Sequence, residues 1–449
     1  MKKNLSLILF IGLNNLINSQ CIQNFSAGDW CSFVVKTNGT LYGWGARLQN
    51  TGASCACSYY AGSNTPRNIG VETDWELVSV GSSFMVAKKN NGTLWTSTLS
   101  CIAGINNAGS SSITLPYQVG TDSDWNKIYT GSHHTLALKT NGTLWSFGLN
   151  QFGELGNNVV VGTQSNIPTQ VGTDNNWQEI YAGVSHSLSI KTDGTLWAWG
   201  LGIYGQLGDL STTSKNYPVY VGTTNDWANA TAGSDCSFAI KTNGTLWAWG
   251  KNNVGQLGTG NLLSYNTPVQ IGTDNNWLKV ISHSNAYYYP SETIALKTDG
   301  TIWKRINMNF VQLGTDNNWQ NIDLGVAHII ASKTDGTMWT WGQNYSGQLG
   351  NGTSYGMTDT PQSINCSTLT IADFENTEIP SLYIYPNPVK NEFYFAGLNE
   401  ENKFEILNSL GQIIQSGFAT NYTQIKTDKL SNGIYYVKIN EQIIKLIKD

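Results

Sequence analysis

Three histidines, His134, His186 and His328, have side chains that could act in acid–base catalysis or bind a metal ion. Each lies five residues before a lysine. The residues five positions before comparable lysines elsewhere in the chain are Cys31, Phe84, Cys236 and Glu292. A position that accepts His, Cys and Phe alike is mostly a packing position. We therefore expect the three histidines to be structural, and Cys31 and Cys236 to be buried thiols that do not pair with each other.

The other groups that could do chemistry are dispersed along the chain. His133 and His283 are isolated, and no Ser–His–Asp grouping, metal-ligand spacing or glycine-rich phosphate loop is found. A pair of carboxylates for glycoside hydrolysis stays open, because distance along the chain says nothing about proximity in the fold. The sequence therefore predicts no catalytic residue, no metal ligand and no cofactor.

The lysines belong to a ten-residue segment that the chain repeats seven times. "KTNGTLWAWG" begins at Lys241, and related segments begin at Lys36, Lys89, Lys139, Lys191, Lys297 and Lys333. The 297 residues between the first and the last of these lysines give a mean period of about 50, which is typical of propeller blades. A second segment of the form "GTDNNW" precedes most copies, and "GELG" or "GQLG" follows several of them.

One repeat can be divided into four strands, a to d. We expect Trp227–Ala232 as strand a, residues 237–241 as strand b, Leu246–Gly250 as strand c and residues 267–272 as strand d. The Asn-Gly dipeptide between strands b and c tolerates the positive φ of a two-residue hairpin turn. Both faces of strand c are apolar, and a closed ring covers both faces of every blade. The predicted fold is all-β, a seven-bladed β-propeller followed by a small β-sandwich domain.

Trp247 and Trp249, on one face of strand c, are expected to pack against the neighbouring blade rather than to bind a ligand.

The segment "AGVSHSLSIKTDGTLWAWG", followed by "GQLG", resembles the repeat of the regulator of chromosome condensation family over about residues 22–365. Blades two and six depart from that pattern, because Trp95 and Trp303 are not followed by Trp-Gly. The resemblance implies a seven-bladed propeller. It also implies that the scaffold can serve purely for binding, since secreted bacterial members include a protein inhibitor.

The composition and the beginning of the chain set limits on function. Residues 1–20 have the features of a signal peptide, because two lysines precede an apolar stretch, Leu5–Leu13, that is too short to span a bilayer. No other segment is apolar enough to cross a membrane.

Residues 21–366 hold 16 Lys and Arg against 20 Asp and Glu, so nucleic-acid binding is not expected. The chromatin and nucleotide-exchange functions of the family's nuclear founder are not expected either.

The end of the chain forms a second module. Residues 367–380 are a predicted linker, and residues 381–449 contain short alternating strands separated by turns. This tail resembles the C-terminal sorting domain of type IX secretion, and the matching positions are Tyr385, Pro386, Asn387, Pro388, Gly411, Gly433, Ile434, Tyr435, Lys445 and Lys448. The resemblance implies that the tail is recognised by the type IX secretion machinery, and that the propeller, residues 21–366, is released or attached to the cell surface.

The topology separates the loops of the ring. The a–b and c–d loops of a meander emerge on one side, and the b–c turns and d–a links emerge on the other. The second side carries the near-constant repeated segments, whereas the first carries segments that differ between blades, as binding surfaces of repeat proteins do. On that variable side, Tyr287, Tyr288 and Tyr289 are the predicted partner contacts, because tyrosine offers a large rigid surface with a polar tip. The alternative, that these rings fill the space left by a missing c–d loop, stays open.

Two disulfides are predicted from the same geometry. Cys21 precedes the first strand of blade one and Cys366 follows the last strand of blade seven, so a Cys21–Cys366 bond could close the ring where a short peptide joins other blades. Closing so long a loop would contribute on the order of 5 kcal/mol. Cys55 or Cys57 and Cys101 lie in neighbouring c–d loops and could form the second bond. Seven cysteines leave at least one outside any internal disulfide.

The sequence therefore favours a secreted or surface-attached propeller that binds an unknown protein or polysaccharide through the variable side of the ring, without catalysis. A polysaccharide-degrading enzyme is one alternative, and it requires clustered acidic or His and Tyr side chains in a concave site. A secreted protein inhibitor is the other, and it requires a convex surface rich in aromatic residues.

Overall fold

Two compact units make up the chain, Met1–Ile371 and Ala372–Asp449. The computed structural model describes residues 22–45, 63–82, 84–98, 116–283, 292–326, 328–354 and 356–364 of the first unit. In the second unit it describes residues 383–385, 389–396, 398, 401–408, 411–420, 423–439 and 442–448. Every regular element among these residues is a β-strand.

The first unit contains seven four-stranded antiparallel sheets, and in each sheet the strands lie in the order of the sequence. Blades one to three are β1–β4 (Ile22–Ala27, Cys31–Lys36, Leu41–Gly45, Ser63–Asn68), β5–β8 (Trp75–Val80, Phe84–Lys89, Leu94–Thr98, Tyr117–Val119) and β9–β12 (Trp125–Thr130, His134–Lys139, Leu144–Asn150, Thr163–Gln170). Blades four and five are β13–β16 (Trp177–Ala182, His186–Lys191, Leu196–Gly200, Lys215–Tyr220) and β17–β20 (Trp227–Ala232, Cys236–Lys241, Leu246–Gly250, Tyr265–Ile271). Blades six and seven are β21–β24 (Trp277–His283, Glu292–Lys297, Ile302–Ile306, Asn309–Gln312) and β25–β28 (Trp319–Leu324, His328–Lys333, Met338–Gln343, Met357–Ile364).

The seven sheets form the predicted seven-bladed propeller. Strands a and c of blade five have the predicted bounds, strand b begins one residue earlier, and strand d begins two residues earlier, at Tyr265. Blades seven and one meet without a covalent link among the described residues. The backbone N–H of Ala27 donates to Asp323 Oδ2 at 2.8 Å, and the indole N–H of Trp44 donates to the Gln348 carbonyl at 2.9 Å. Among the described residues, blades seven and one are held together by these hydrogen bonds and by an apolar core that lies between them.

The repeated "NGTLW" or "DGTLW" segment forms the turn between strands b and c. In blade five, Trp247 Nε1–H donates to Thr245 Oγ1 at 2.9 Å, and the Thr245 hydroxyl donates to Asn243 Oδ1 at 2.7 Å. Asp193 accepts the corresponding hydroxyl in blade four. Asn and Asp alternate at this position because the turn needs only an oxygen acceptor. Gly244 has a φ of +78°, and a Cβ there would lie 2.0 Å from the Asn275 carbonyl, so no other residue fits.

Each repeat lysine of blades two to seven lies in a cage of two tryptophans and an aspartate. In blade five, Lys241 Nζ lies 5.0 Å from the centre of the Trp227 ring and 4.7 Å from that of Trp247. The two rings are nearly perpendicular, and Asp226 Oδ1 lies 3.0 Å from the ammonium. The cage explains why Trp247 is only half buried, whereas Trp249, which packs between blades, is fully buried.

Replacing a caged lysine is expected to lower the free energy of unfolding more than replacing a lysine that is more exposed. Lys241→Met removes a nearly buried charge from two rings and one carboxylate, and we expect the free energy of unfolding to fall by about 2 kcal/mol. Lys251→Met is the control, because Lys251 has an ion pair to Asp235 and one ring contact, to Tyr204, but is more exposed. It is expected to lose less than about 1 kcal/mol. Urea titrations followed by tryptophan fluorescence measure both, and equal losses would show that the cage adds nothing.

The second unit has two sheets around a single core. One sheet has the order β29–β30–β33 (Tyr383–Tyr385, Glu392–Ala396, Gln424–Lys426). The other has the order β32–β31–β34–β35 (Ile413–Ala419, Asn402–Leu407, Gly433–Ile439, Gln442–Lys448). Phe393 and Phe395 of the first sheet pack with Phe404 and Val437 of the second. This arrangement is a small β-sandwich.

Candidate binding face

The three histidines of the repeat register are fully buried at the start of strand b and join neighbouring blades. In each case Nε2 lies 2.8–2.9 Å from a serine hydroxyl of the next blade, and the pairs are His134–Ser187, His186–Ser237 and His328–Ser32. The serine in turn donates to the backbone carbonyl of the "GELG" or "GQLG" segment of the histidine's own blade. The histidines are therefore links between blades.

The direction of these hydrogen bonds is unsuited to nucleophilic catalysis. Ser237 has one hydroxyl proton and donates it to the Gln206 carbonyl at 2.8 Å. His186 Nε2 must then carry the proton in the His186–Ser237 bond, so the imidazole is a neutral donor and not a base toward the serine. Burial lowers the pKa of His186 to about 3, so the ring stays neutral at ordinary pH. The Ser–His pairs hold the ring together and do not activate a nucleophile.

Cys31 and Cys236 are also fully buried in this register. Cys31 is disulfide-bonded, so the expectation of a thiol there is wrong. Its partner lies outside the described residues. The predicted pairs Cys21–Cys366 and Cys55 or Cys57 with Cys101 lie outside the described residues as well, and they stay predictions.

A cavity of about 190 Å³ lies on the axis of the ring, lined by the inner strands of the blades. Polar side chains of these strands bind the free backbone edge of the adjacent blade. The pairs are Val78 N–Asn24 Oδ1, Thr130 N–Ser79 Oγ, Lys127 Nζ–Gln178 O, Val280 N–Asn229 Oδ1, Lys279 Nζ–Ile322 O and Ala27 N–Asp323 Oδ2. These bonds satisfy edge groups that would otherwise face the channel unpaired.

The charged side chains that line the axial cavity take part in these hydrogen bonds between blades. Burial raises the pKa of the Asp323 carboxyl, and Lys279 and the backbone N–H of Ala27 oppose that rise. Burial lowers the pKa of Lys279, and Asp323 opposes that shift. Because both side chains already bind backbone atoms of an adjacent blade, their arrangement is explained by ring closure rather than by catalysis.

His283 is not isolated, contrary to the sequence interpretation. Its Nε2 lies 2.9 Å from Asp29 Oδ1, and both side chains are largely buried. Asp29 belongs to blade one and His283 to blade six, so the pair reaches past blade seven to join two blades that are not neighbours. No sequence signal connects residues 254 positions apart. Among the described residues, no group of three or more His, Cys, Asp or Glu side chains is placed to hold a metal ion.

The two sides of the ring differ as the topology predicts. On one side, which we call the loop face, the a–b turns contact the c–d loops, as in the bond from Lys251 N to Asp235 O at 2.9 Å. On the other, which we call the turn face, the b–c turns contact the d–a links, as in the bond from Trp277 N to Gly244 O at 3.1 Å. The c–d loops of blades three, four and five are residues 151–162, 201–214 and 251–264. In blade six the loop is reduced to Asn307 and Met308.

Buried asparagines brace the c–d loops of blades three, five and seven. Asn252 is fully buried, and its Nδ2 donates to the carbonyls of Asn261 and Leu263 while its Oδ1 accepts from Leu257 N–H. Asn150 and Asn344 do the same in blades three and seven. A polar side chain that is fully satisfied inside a loop fixes the loop's shape. These three loops of the loop face are therefore preformed.

Exposed apolar side chains are concentrated on the loop face. Of the 17 large hydrophobic side chains exposed in the described part of the propeller, ten lie in c–d loops: Phe152, Val160, Val161, Ile203, Tyr204, Leu210, Val254, Leu262, Leu263 and Tyr345. Of the same 17 described side chains, only Val71 lies in the links and turns of the turn face. Exposed apolar side chains grouped on one side are typical of interaction surfaces, so the loop face is the candidate binding face.

The predicted contact residues Tyr287, Tyr288 and Tyr289 lie outside the described residues, as do Pro386, Asn387 and Pro388 of the tail. Of the remaining tail residues, Gly411 lies in a turn with a φ of +77°. Tyr435 packs partly against the core, and its hydroxyl donates to the Ser431 carbonyl at 3.0 Å. Gly433 begins β34, and Lys445 and Lys448 lie in β35. These residues belong to the strands and turns of the tail itself.

Sequence models of two kinds match the chain. The regulator of chromosome condensation (RCC1) repeat matches residues 141–190, 193–240, 243–285 and 335–372, and a second model of the same repeat matches residues 125–154, 177–206, 229–256 and 319–348. The secretion system C-terminal sorting domain matches residues 383–449. No curated protein matches the sequence.

Solved structures share the fold at low sequence identity. Human WBSCR16 is 18% identical, with a TM-score of 0.50 over 77% of this chain and 83% of its own. Prp20p from Saccharomyces cerevisiae, described with its binding to Gsp1p and histones, is 19% identical, with a TM-score of 0.46 over 78% of this chain and 77% of its own. At this level of identity the first likeness shows the fold alone. Within the described residues, nothing helical has the length and hydropathy needed for a membrane span.

Proposed function

This chain is a repeat propeller of the regulator of chromosome condensation type that ends in a type IX secretion sorting domain, and from that premise we propose that it is a non-catalytic binding module. The sorting domain indicates export to the cell surface or beyond. The partner, a protein or a polysaccharide, would bind to the loop face. Residues 1–20 would serve as the signal peptide, and the tail would engage the secretion machinery before the propeller is released or attached.

One observation supports this proposal most directly, the unequal distribution of exposed apolar side chains between the two sides of the ring. Keeping ten large hydrophobic side chains in water on one side has no benefit for folding. The braced loops add to the argument, because a preformed surface loses less conformational entropy when it binds. The turn face, in contrast, has the polar groups of its repeated segments engaged in turns and cages.

Binding without catalysis fits the chemistry of the described residues better than a polysaccharide-degrading enzyme does. The Ser–His pairs are oriented with the histidine as donor, and the channel groups Lys279 and Asp323 bind backbone atoms. Propellers of this repeat type are generally binding or exchange-factor folds. Release of products from a panel of polysaccharides by the purified full-length chain would overturn this part of the proposal.

The proposal is tested with the full-length chain immobilised through a tag. It is exposed to a glycan array and, separately, to proteins from the culture supernatant and outer membrane. We expect a specific partner whose binding is weakened by substitutions on the loop face and unchanged by Val71→Asn on the turn face. Binding that responds only to the turn-face change would contradict the proposal.

Tyr287, Tyr288 and Tyr289 stay part of the proposed contact surface. Their combined replacement by alanine is expected to weaken binding of the partner by about tenfold or more, since tyrosine is enriched among residues that dominate binding energy. A partner that binds the triple variant as tightly as the native chain would remove these three residues from the surface.

A further inference from the structure

We infer that the partner is a protein with an apolar surface, and that it docks on the c–d loops of blades three, four and five, with Leu210 as a contact residue. This inference rests on the proposed function and specifies it. We call these three consecutive loops, residues 151–162, 201–214 and 251–264, the apolar arc. Nine of the ten exposed apolar side chains of the c–d loops belong to it.

The loops of the apolar arc are hydrogen-bonded to the next blade. Asn158 N–H in the loop of blade three donates to the Asn216 carbonyl, in the outer strand of blade four, at 3.0 Å. Leu210 N–H in the loop of blade four donates to the Asn266 carbonyl of blade five at 3.0 Å, and Asn266 Nδ2 donates back to the Leu210 carbonyl at 2.9 Å. The loop of blade five contacts blade six in the same way, through the bond from Gly260 N–H to the Met308 carbonyl at 2.9 Å, so each loop is fixed on the next blade.

The backbone of Leu210 gives a second, independent reason. Leu210 has a φ of +68°, in the left-handed region that a leucine adopts only at a cost, yet its side chain is 73% exposed. The equivalent positions in blades three, five and seven hold Asn158, Gly260 and Gly352, also at positive φ. Asn and Gly are the residues that tolerate this conformation. A leucine here is unfavourable for folding, so its side chain is explained by a contact outside the chain.

The charges of the apolar arc are compensated by neighbouring residues. Lys215 Nζ lies 4.0 Å from Asp209, and Lys251 Nζ lies 2.9 Å from Asp235 in the adjoining a–b turn. Glu154 is buried and accepts the Phe152 N–H. The surface therefore offers no uncompensated charge to a partner, and it is complementary to an uncharged apolar one.

The type of apolar side chain decides between a protein and a polysaccharide. Seven of the nine exposed apolar side chains are aliphatic, and the two aromatic ones are Phe152 and Tyr204. A sugar ring carries hydroxyl groups whose hydrogen bonds to water an aliphatic surface cannot replace, so burying it there is unfavourable. An apolar protein surface has no such penalty.

The test uses Leu210→Asn in the full-length chain, because asparagine suits the backbone of that position. The captured protein is purified, and its Kd is measured for the native chain, for Leu210→Asn, for Leu263→Asn in the same arc, and for Val71→Asn as the control on the turn face. We expect the midpoint of unfolding of Leu210→Asn to be unchanged or higher. Its Kd should rise by about tenfold or more, as for a residue central to an interface, while Val71→Asn binds like the native chain.

The outcomes separate the inference from the proposed function. A partner protein that binds both arc variants as tightly as the native chain would overturn the arc, and the proposed function would stand if the tyrosine variant or another loop-face variant weakened it. A polysaccharide whose binding falls with Leu210→Asn would overturn the assignment of a protein partner. The absence of any protein or glycan ligand would overturn the inference and the proposed function together.

Discussion

The three histidines of the repeat register are expected to lower the free energy of unfolding of the propeller by about 7 kcal/mol when the pH falls from 6.5 to 4.5. His134, His186 and His328 are buried, and burial lowers the pKa of each from 6.5 to about 3. The unfolded chain therefore takes up protons at these residues as the pH falls through 6.5, whereas the native ring does not. Stability is fully present above pH 6.5 and is lost progressively toward pH 3, by about 1.4 kcal/mol per pH unit for each histidine.

The contribution of one histidine can be isolated with His186→Phe. Blade two has phenylalanine, Phe84, in the same register, so the change is compatible with the fold. The variant loses the bond to Ser237 at all pH values, and we expect it to take up one proton fewer on unfolding between pH 6 and 4.5. The measurement is the slope of unfolding free energy against pH, from urea titrations followed by tryptophan fluorescence. All 17 tryptophans lie in the first unit, so the signal reports the propeller alone. An unchanged slope would show that His186 is protonated in the native ring.

The fold was predictable because the sequence contains seven copies of the segment that forms one blade. A single "NGTLW" segment indicates a turn, but seven copies at a spacing of about 50 residues require equivalent structural units. The strands of blade five were located within two residues for this reason. The repeat register also identified the histidines as structural, since Cys31, Phe84, Cys236 and Glu292 share their position.

The contacts between blades could not be predicted from the sequence. The pairing of Asp29 with His283 depends on how blades one and six approach each other around the ring, and neither residue belongs to a repeated pattern. The hydrogen bonds between inner strands around the axial cavity come from Asn, Ser, Asp and Lys at different positions. They therefore have no sequence signature. The lysine cages were visible only as repeated residues, because Lys241, Trp227 and Trp247 meet through the pairing of three strands.

The apolar arc shows a different limit. Leu210 looks like an ordinary loop residue until its φ is known, and only then does the comparison with Asn158 and Gly260 become meaningful. The sequence located the variable side of the ring correctly but pointed to the tyrosines after His283, since aromatic residues are conspicuous in a sequence. Exposure is a property of the folded chain, and it directs attention to the aliphatic residues of blades three to five.

The second large effect is expected at the interface between blades four and five. Trp249 is fully buried, and its indole N–H donates to the Gln206 carbonyl of blade four at 2.8 Å. Trp249→Ala leaves a cavity in the core shared by the two blades, and we expect the free energy of unfolding to fall by about 3–5 kcal/mol. Urea titration followed by tryptophan fluorescence measures the loss.

Trp249→Phe separates packing from hydrogen bonding at the same site. It keeps most of the ring volume, and the Gln206 carbonyl still accepts the Ser237 hydroxyl at 2.8 Å, so no buried acceptor is left unpaired. We expect this variant to lose only about 1 kcal/mol. An equal loss in the two variants would mean that the N–H bond, and not the packing of the indole ring, holds these blades together.

The number of unfolding transitions tests whether the propeller is closed. Because the blades form a closed ring, blades four and five stay joined through the other six interfaces, and the Trp249→Ala variant should still unfold in one transition. Two separate transitions would indicate an open array, whose stability depends on each neighbouring pair of repeats by itself.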